Sequence, residues 1–581
     1  MYTNIINSLV KQLNISLEFN DDIIVAHLVS KQAFIDSKQQ GKSPLQLANE
    51  VVKGLKFDEK IIRKIEVAGA GFINIFLTDE YLIKSLKNAL VKATSTPKVD
   101  VKKVVFEYTD PNPFKVFHIG HLMPNLVGQA FSNIFEYLGA DVKRVNYQGD
   151  VGMHVAKSVY GIIKLGGLAQ VADKSLKERT EFLGKAYVIG TSHYETVENA
   201  KTQIININKA VYQIAQDNLL SSEYKDEKLD FEEIDKSIDI EQIKNIYLTG
   251  RDWSLEKFEE IYTRLGTKFD NYYFESTAGV VGAQVVNQGL EKGVFEKSDG
   301  AVVFKGEQYG LHTRVFINSE GLPTYEAKDL GLPILKQKDF DYDLSVIVTG
   351  NEIDEYFKVV LKALSLLNEN LSNKTKHISH GMLKLTTGKM SSRKGNVITG
   401  EDLMNMAVER VEEIIATRQD LSETEKLQIK EEVGLGAVKY MVLKPTTGSD
   451  IIFDLEESVK YDGNSGPYLQ YTVVRANSIL AKVQQNQVFE KDIVLESEET
   501  ELILKLIQFN DVVLKCAQNY SVHYLSNYLF QLASSFNSYY AKTKIDEAED
   551  TKQYRVDIVN KVSKTLTLGL GLLGIQVPVK M

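Results

Sequence analysis

From about residue 100 to about residue 400 the chain alternates short apolar β runs with helical patterns, and few folds accept that order. The first run, residues 101–108, is a buried-strand pattern that leads through a proline-rich turn into a long helix. Further on, Leu344-Ser345-Val346-Ile347-Val348 reads as another core strand. Parallel strands need a crossover, and helices supply it, so the alternation predicts a parallel sheet wrapped by helices. Between about 155 and 270 the pattern is mostly helical and highly charged, as an insertion into such a sheet would be.

The flanks differ from this middle. Residues 1–98 mix helical patterns with short β runs and end in the polar Lys92-Ala93-Thr94-Ser95-Thr96-Pro97, a linker signal. Beyond about 425, Leu, Ile and Tyr recur at three- and four-residue spacings up to Met581, which reads as helix throughout. A chain of 581 residues has room for about three domains. The expected fold is therefore α/β. A Rossmann-like parallel-sheet domain spans 99–460 with a helical insertion at about 155–270. A small α+β domain precedes it over 1–98, and an all-α domain follows over 461–581.

Composition narrows the class. Hydrophobic residues make up 43% and charged residues 25%, the balance of a soluble globular protein. The formal net charge of -10 argues against nonspecific coating of nucleic acid, although a local basic groove is compatible with it. Cys516 is the only cysteine, which excludes a disulfide framework and a thiolate-rich zinc site; it lies in an apolar helical stretch and should pack there. No unbroken apolar run is long enough to cross a bilayer, and the first residues lack the features of a signal peptide. A cytoplasmic monomer with no membrane partner and no protein-held metal is the expectation.

Chemistry concentrates in the strand end Phe106-Glu107-Tyr108, the turn Thr109-Asp110-Pro111-Asn112-Pro113, and the stretch Phe114-Lys115-Val116-Phe117-His118-Ile119-Gly120-His121. Pro113 stops the strand, and a helix should begin near His118. A helix start offers free N–H groups and a positive dipole end, which suits phosphate. His118 and His121, three apart, share a helix face and can both donate to phosphate oxygens as charge develops there. Gly120 lacks a side chain, so an adenine ring could approach its backbone. An arbitrary pair of histidines is more often structural, or half of a metal site. Here no cysteine or glutamate-rich partner set stands nearby, and the whole strand–turn–helix context favours nucleotide chemistry.

A second segment, Gly388-Lys389-Met390-Ser391-Ser392-Arg393-Lys394-Gly395-Asn396, follows His380-Gly381-Met382. Residues 381–400 carry four basic side chains and no acidic one, within an acidic chain. Alone it would read as a solvated basic loop. Beside the histidine pair, a glycine-flanked cationic loop suits a triphosphate.

Together these segments resemble the HIGH and KMSKS elements of class I aminoacyl-tRNA synthetases. Glu107, Pro111-Asn112 and Lys115 are similar to the flanks seen in the arginyl-tRNA synthetase family in particular. Two positions depart from its pattern: Met123 replaces a common arginine, and Ser392 replaces the second lysine of the loop, at 388–396. The resemblance implies formation of arginyl-adenylate from L-arginine and ATP, with Mg²⁺ accompanying the ATP, and transfer to the 3′ end of tRNA(Arg). It implies catalytic roles for Lys115, His118, His121, Lys389, Arg393 and Lys394. ATP contacts are implied for His118, Gly120, His121, Gly350, Glu352, Gly381, Met382, Lys389, Met390 and Ser391.

A guanidinium calls for carboxylates that match its planar fork and favours an aromatic wall. Tyr325 and Asp329 stand four apart, on one face if helical, and resemble the family's side-chain pocket. Glu107, Asn112 and Asn351 complete the arginine contacts that the resemblance implies. Asn351 and Glu352 follow a core strand, where open α/β sheets bind ligands. For tRNA the resemblance points to Tyr468 and Tyr471 at the head of a helical anticodon-binding domain, as stacking platforms or else core packing. In the N-terminal domain it points to Phe72 and Asn74. The pattern Gly569-Leu570-Gly571-Leu572-Leu573-Gly574 follows no strand and is rejected as a dinucleotide loop.

Overall fold

The computed structural model describes residues 4–20, 25–89, 99–236, 238–386, 398–483, 493–543, 545 and 552–581. At its centre lie five parallel strands: β1 (Lys103–Glu107), β2 (Asp141–Gln148), β3 (Asn271–Phe274), β4 (Leu344–Gly350) and β5 (Thr375–His380). Their spatial order is β5-β4-β1-β2-β3. The winding reverses between β1 and β4, and the crevice at such a reversal is where a doubly wound sheet accepts ligands. The expected α/β architecture is therefore present.

Both faces of the sheet are buried, which is why β1 and β4 read as near-continuous apolar runs. On one face lies α1 (Ile119–Tyr137), whose Phe131 and Phe135 pack on Phe106 of β1. The chain then crosses from β2 to β3 through four helices. These are α2 (Met153–Lys164), the helices Leu176–Thr196 and Ala200–Asn218, and α3 (Ile240–Leu265). They enclose their own apolar core around Val155, Val159, Leu183, Ile204 and Tyr247. Gly161 and Gly190 permit the tight crossing of two of them, because a Cβ at either would stand 1.9 Å from a backbone oxygen of the other helix. The opposite face of the sheet is covered by α4 (Glu275–Glu291), α5 (Tyr325–Phe340) and α6 (Asp354–Leu367).

The N-terminal unit is a four-stranded antiparallel sheet of Glu18–Phe19, Leu28–Ser30, Ile62–Ala68 and Phe72–Leu77, with the helices Gln32–Gln40 and Pro44–Gly54 against it. The C-terminal unit is helical, with Gly466–Lys482, Ser497–Asn519, His523–Lys542 and Gln553–Leu572 sharing one core. Cys516 is fully buried there. Gly569 lies in the last of these helices, pressed on Leu529, and no strand leads to it.

This unit is joined to the sheet by Lys439 of the helix Glu423–Leu443. Its ammonium donates to the carbonyl of Leu265, at the end of α3, at 2.8 Å, and to that of Gly574 at 2.6 Å. Helix C-termini present orphan carbonyls, and a cation suits them. From the other side, Asn133 of α1 donates to the carbonyls of Gly571 and Leu572. Among the described residues no helix is long and apolar enough to cross a membrane.

Candidate active site

The turn after β1 is held from outside. Phe114, at φ 69°, lies in the left-handed region; its N–H donates to Ser254 of α3 at 2.9 Å and its ring stacks on Tyr247. This anchoring delivers the chain to His118, the N-cap of α1. The His118 N–H donates to Nδ1 of His121 at 3.3 Å, and the two rings stack with centroids 3.6 Å apart. Because Nδ1 of His121 accepts, its ring proton sits on Nε2, which remains a donor. Burial, assisted by Lys115, lowers His118 to about 4, and burial, His118 and Lys115 hold His121 well below the usual range. Both rings are neutral near pH 7, so what they can offer a ligand is hydrogen bonds, while positive potential comes from the helix end and from Lys115.

Gly120 is exposed, and its lack of a side chain also has a local role. A Cβ there would lie 2.9 Å from the His118 ring, so the missing side chain makes room for the histidine itself. Lys115 rests over the Tyr187 ring at 5.1 Å and lines a cleft of about 220 Å³ with Lys177, Lys257 and Thr399. Lys389, Met390, Ser391, Arg393 and Lys394 fall outside the described residues. The chain just beyond them is tied to the histidines: Thr399 bridges His118, and Gly400 N–H donates to the Phe117 carbonyl at 2.9 Å. On the upstream side, Met382 is exposed, but Gly381 is covered. A Cβ at 381 would stand 2.1 Å from the Ser449 carbonyl oxygen, so this glycine packs against a turn. Met123 is buried in α1 and lines the same region as His380 and Gly381, an apolar contact where an arginine would need a partner.

The other side of β1 is carboxylate-rich. Glu107, expected to read a guanidinium, is 3% exposed and already meets the ammonium of Lys336 at 2.5 Å; that lysine also donates to Ser345. Its charge is thus compensated from within the fold. Glu275, at the start of α4, pairs with Lys328 at 2.5 Å, and Asp150 pairs with Arg251 at 3.1 Å while capping α4 through Ser276. These ion pairs were not singled out from the sequence. The available signal was charged residues on otherwise apolar helix faces, as with Lys328 and Lys336 in α5.

Tyr325 and Asp329 stand one turn apart at the start of α5. Tyr325 is half exposed, and Asp329 accepts a hydrogen bond from the Tyr356 hydroxyl at 2.6 Å. Among the described residues no lysine, arginine or histidine pairs with Asp329. Burial, together with Glu107, Glu275 and Glu326, raises its carboxyl to about 8 in spite of the Tyr356 bond. Asp110 is similarly without a cation among the described residues. It accepts the Tyr147 N–H at 2.9 Å, and burial raises it well above the carboxylate range. Thr109 and Asp110 both have positive φ, 85° and 46°, a strain that such sites concentrate.

Asn112 faces Gly149, where a Cβ would lie 2.3 Å from its Oδ1 and 3.1 Å from Glu275. At the end of β4, Gly350 leaves space for the Glu352 carboxylate, and Asn351 opens the short 3₁₀ turn Asn351–Ile353. Glu107, Asn112, Tyr325, Asp329, Asn351 and Glu352 therefore all lie at the carboxyl ends of β1 and β4 or on α5 beside them.

The residues expected to meet RNA fare unevenly. Phe72 is 37% exposed and leans on Phe34. Asn74, by contrast, is 3% exposed and donates to the Val25 carbonyl at 3.1 Å, so its amide is committed inside the N-terminal sheet. Tyr468 packs on Phe530, and its hydroxyl accepts from Asn537 at 3.0 Å, which makes it part of the helical core. Tyr471 is partly open, with Arg475 beside its ring and its hydroxyl.

Comparison with known proteins agrees with this arrangement. The family described as "tRNA synthetases class I (R), catalytic domain" matches residues 85–455. "DALR anticodon binding domain" matches 469–581, and "Arginyl tRNA synthetase N terminal domain" matches 3–77. An arginine–tRNA ligase of Flavobacterium psychrophilum is 32% identical over 93% of this chain and 90% of its own. That of Bacteroides thetaiotaomicron is 31% identical over 94% and 92%. Among solved structures, the arginyl-tRNA synthetase of Thermus thermophilus shares the fold with a TM-score of 0.76, at 22% identity over 99% of each chain. That of Plasmodium falciparum gives 0.73 at 19% identity, over 99% and 98%. With its catalytic core, its N-terminal unit and its helical C-terminal unit all matched, the chain belongs to the arginyl-tRNA synthetase family of class I.

Proposed function

We propose that this class I ligase activates L-arginine with ATP and transfers the arginyl group to the 3′ end of tRNA(Arg). One observation carries the choice of amino acid. Around the head of β1, Glu107, Glu275 and Asp150 each have a resident cation, while Asp329 has only a tyrosine hydroxyl among the described residues. A half-buried carboxylate without a cation is costly, and a guanidinium held in its planar fork supplies the missing charge. On this reading Asn112, beside Gly149, takes the substrate α-amino group, and Tyr325 and Asn351 contribute further contacts to arginine.

The reaction is then an in-line exchange at phosphorus. An arginine carboxylate oxygen attacks the α-phosphate of ATP, the bond to the β-phosphate breaks, and pyrophosphate leaves. A tRNA 3′-terminal hydroxyl next attacks the arginyl carbonyl, and AMP leaves. His118 and His121, neutral, donate to the developing phosphate charge, and Lys115 adds a positive field; Lys389, Arg393 and Lys394 are proposed to do the same from the adjoining loop. Among the described residues no cluster of three histidine, cysteine or acidic side chains is built to hold a metal, so Mg²⁺ would arrive with ATP on phosphates and waters. The C-terminal helices would carry the anticodon arm, with Tyr471 as the base-stacking residue, and Phe72 would touch the tRNA from the N-terminal sheet. We place the reaction in the cytoplasm, with a single chain as the working unit. Attachment of each of the twenty amino acids to total tRNA tests the reading: arginine alone should be charged, and charging of another amino acid in its place would overturn it.

A further inference from the structure

The mechanism above leaves one buried polar group of the pocket unused. Strand β2 pairs with β1 in the register Glu107↔Val145, so Tyr147, two residues further on, points to the same face as Glu107 and lies closer to the head of the sheet. That face is covered by α4 and α5, and Tyr147 packs in one cluster with Ala278, Ala327 and Leu330. The residue is 8% exposed, and its hydroxyl has no hydrogen-bond partner among the described residues. Its backbone N–H is the donor that holds Asp110. Burial, and the charges of Asp329, Glu275, Glu107 and Asp150, raise the phenol well above its usual range.

An enclosed hydroxyl without a partner destabilises a fold, and such orphans call for an explanation. Here the surrounding carboxylates are acceptors, while the group that would complete them is a donor. A guanidinium has five N–H donors and accepts nothing. A carboxylate meeting it side-on takes two of them, and the rest require other acceptors. A phenol oxygen next to Asp329 can accept one and turn its own proton toward a carboxylate.

We propose that Tyr147 is a specificity-determining residue of the amino-acid pocket, its hydroxyl accepting an N–H of the bound guanidinium. This rests on the assignment of that pocket to arginine. It makes the pocket's polarity the work of β2 as well as of β1 and α5. It also explains why a strand facing a packed apolar layer ends in a tyrosine whose hydroxyl the fold leaves empty.

The test is Tyr147→Phe in the full chain, which removes one oxygen and keeps the ring. Aminoacylation at fixed ATP and tRNA should show a tenfold or greater rise in the KM for arginine. The KM values for ATP and for tRNA should stay within about twofold. The melting temperature without ligand should be unchanged or higher, because an unpartnered hydroxyl has gone, while the rise produced by saturating L-arginine should shrink. An arginine KM equal to wild type would overturn the proposal. So would a variant that melts well below wild type or fails to fold, since the hydroxyl would then be structural. Asp329→Asn, assayed in parallel, separates the two levels of the argument. If Asp329→Asn is crippled and Tyr147→Phe is not, only the role of Tyr147 falls. If Asp329→Asn also uses arginine normally, the pocket itself has been misplaced.

Discussion

On one side of β1 the ionisable groups are held in ion pairs, and on the other they stack as neutral rings. At the head of the sheet, Glu107, Glu275 and Asp150 are buried with lysine or arginine partners, while Asp329 and Asp110 have no cation among the described residues. Toward α1, His118 and His121 are buried against each other and driven neutral. The difference follows what each side must bind. On our proposal a permanently charged guanidinium is selected by a carboxyl that the fold leaves without a cation, Asp329, which gives up its proton on binding. The nearby lysines and arginine are already engaged in their own ion pairs. A phosphate already carries its charge, so fixed imidazolium ions are not required; neutral donors at a helix start, with Lys115 beside them, can serve the charge as it moves to pyrophosphate.

The largest effect should come from breaking the first side. Asp329→Asn keeps the size and hydrogen-bonding shape but removes the anion. A site whose polar groups are left mismatched can discriminate by about 10⁴, so kcat/KM for arginine should fall by about that order. Preference over citrulline, which keeps the planar shape without the charge, should narrow in the same assay. Unchanged arginine charging with an unchanged preference would place the pocket elsewhere.

Breaking the second side should cost less. His121→Ala removes one donor to the developing phosphate charge, worth about 3 kcal/mol or roughly a hundredfold in adenylate formation. It also takes away the acceptor of the His118 N–H, so α1 loses a cap. Pyrophosphate exchange reports the rate, and tRNA binding should be nearly unaffected; near-normal exchange would remove His121 from the reaction.

A smaller effect sharpens the contrast between the sheet and the helical C-terminal unit. Tyr471→Ala should raise the KM for tRNA about tenfold, since stacking of a base on an aromatic is worth about 1–3 kcal/mol. Tyr468→Phe should instead cost about 1 kcal/mol of stability by losing the Asn537 bond, with tRNA KM unchanged. Footprinting that left the anticodon unprotected by the wild-type chain would refute the first of these.

What the sequence made legible was local. The strand, turn and helix that carry His118 and His121 are contiguous, and the four-residue spacing of Tyr325 and Asp329 suffices to place both on one helix face. What it hid was set by contacts between distant parts of the chain. Lys336 neutralises a Glu107 that lies 229 residues earlier, and no spacing rule links them. Asn74 reads as a free amide until Val25 is folded onto it, and the His118 ring's need for a residue without a side chain at Gly120 shows only once the two are folded together. Tyr468 and Tyr471 are indistinguishable by period; only Phe530 and Asn537, on a later helix, decide which of them belongs to the core.

The central claim, that one uncompensated carboxylate selects the guanidinium, has a direct thermodynamic signature. With its carboxyl raised to about 8, Asp329 is mostly protonated in the empty pocket at pH 7. Binding a cation must then expel that proton, because only the carboxylate form pairs with a guanidinium. His118 and His121, lowered by burial, stay neutral across this range and add nothing to the count. Calorimetry of L-arginine binding at pH 7, in two buffers of different ionisation enthalpy and with tRNA present, measures the protons exchanged. Release of close to one proton by the wild-type chain, and of almost none by Asp329→Asn, is the predicted result. No release by the wild type, or undiminished release by the variant, would contradict the account.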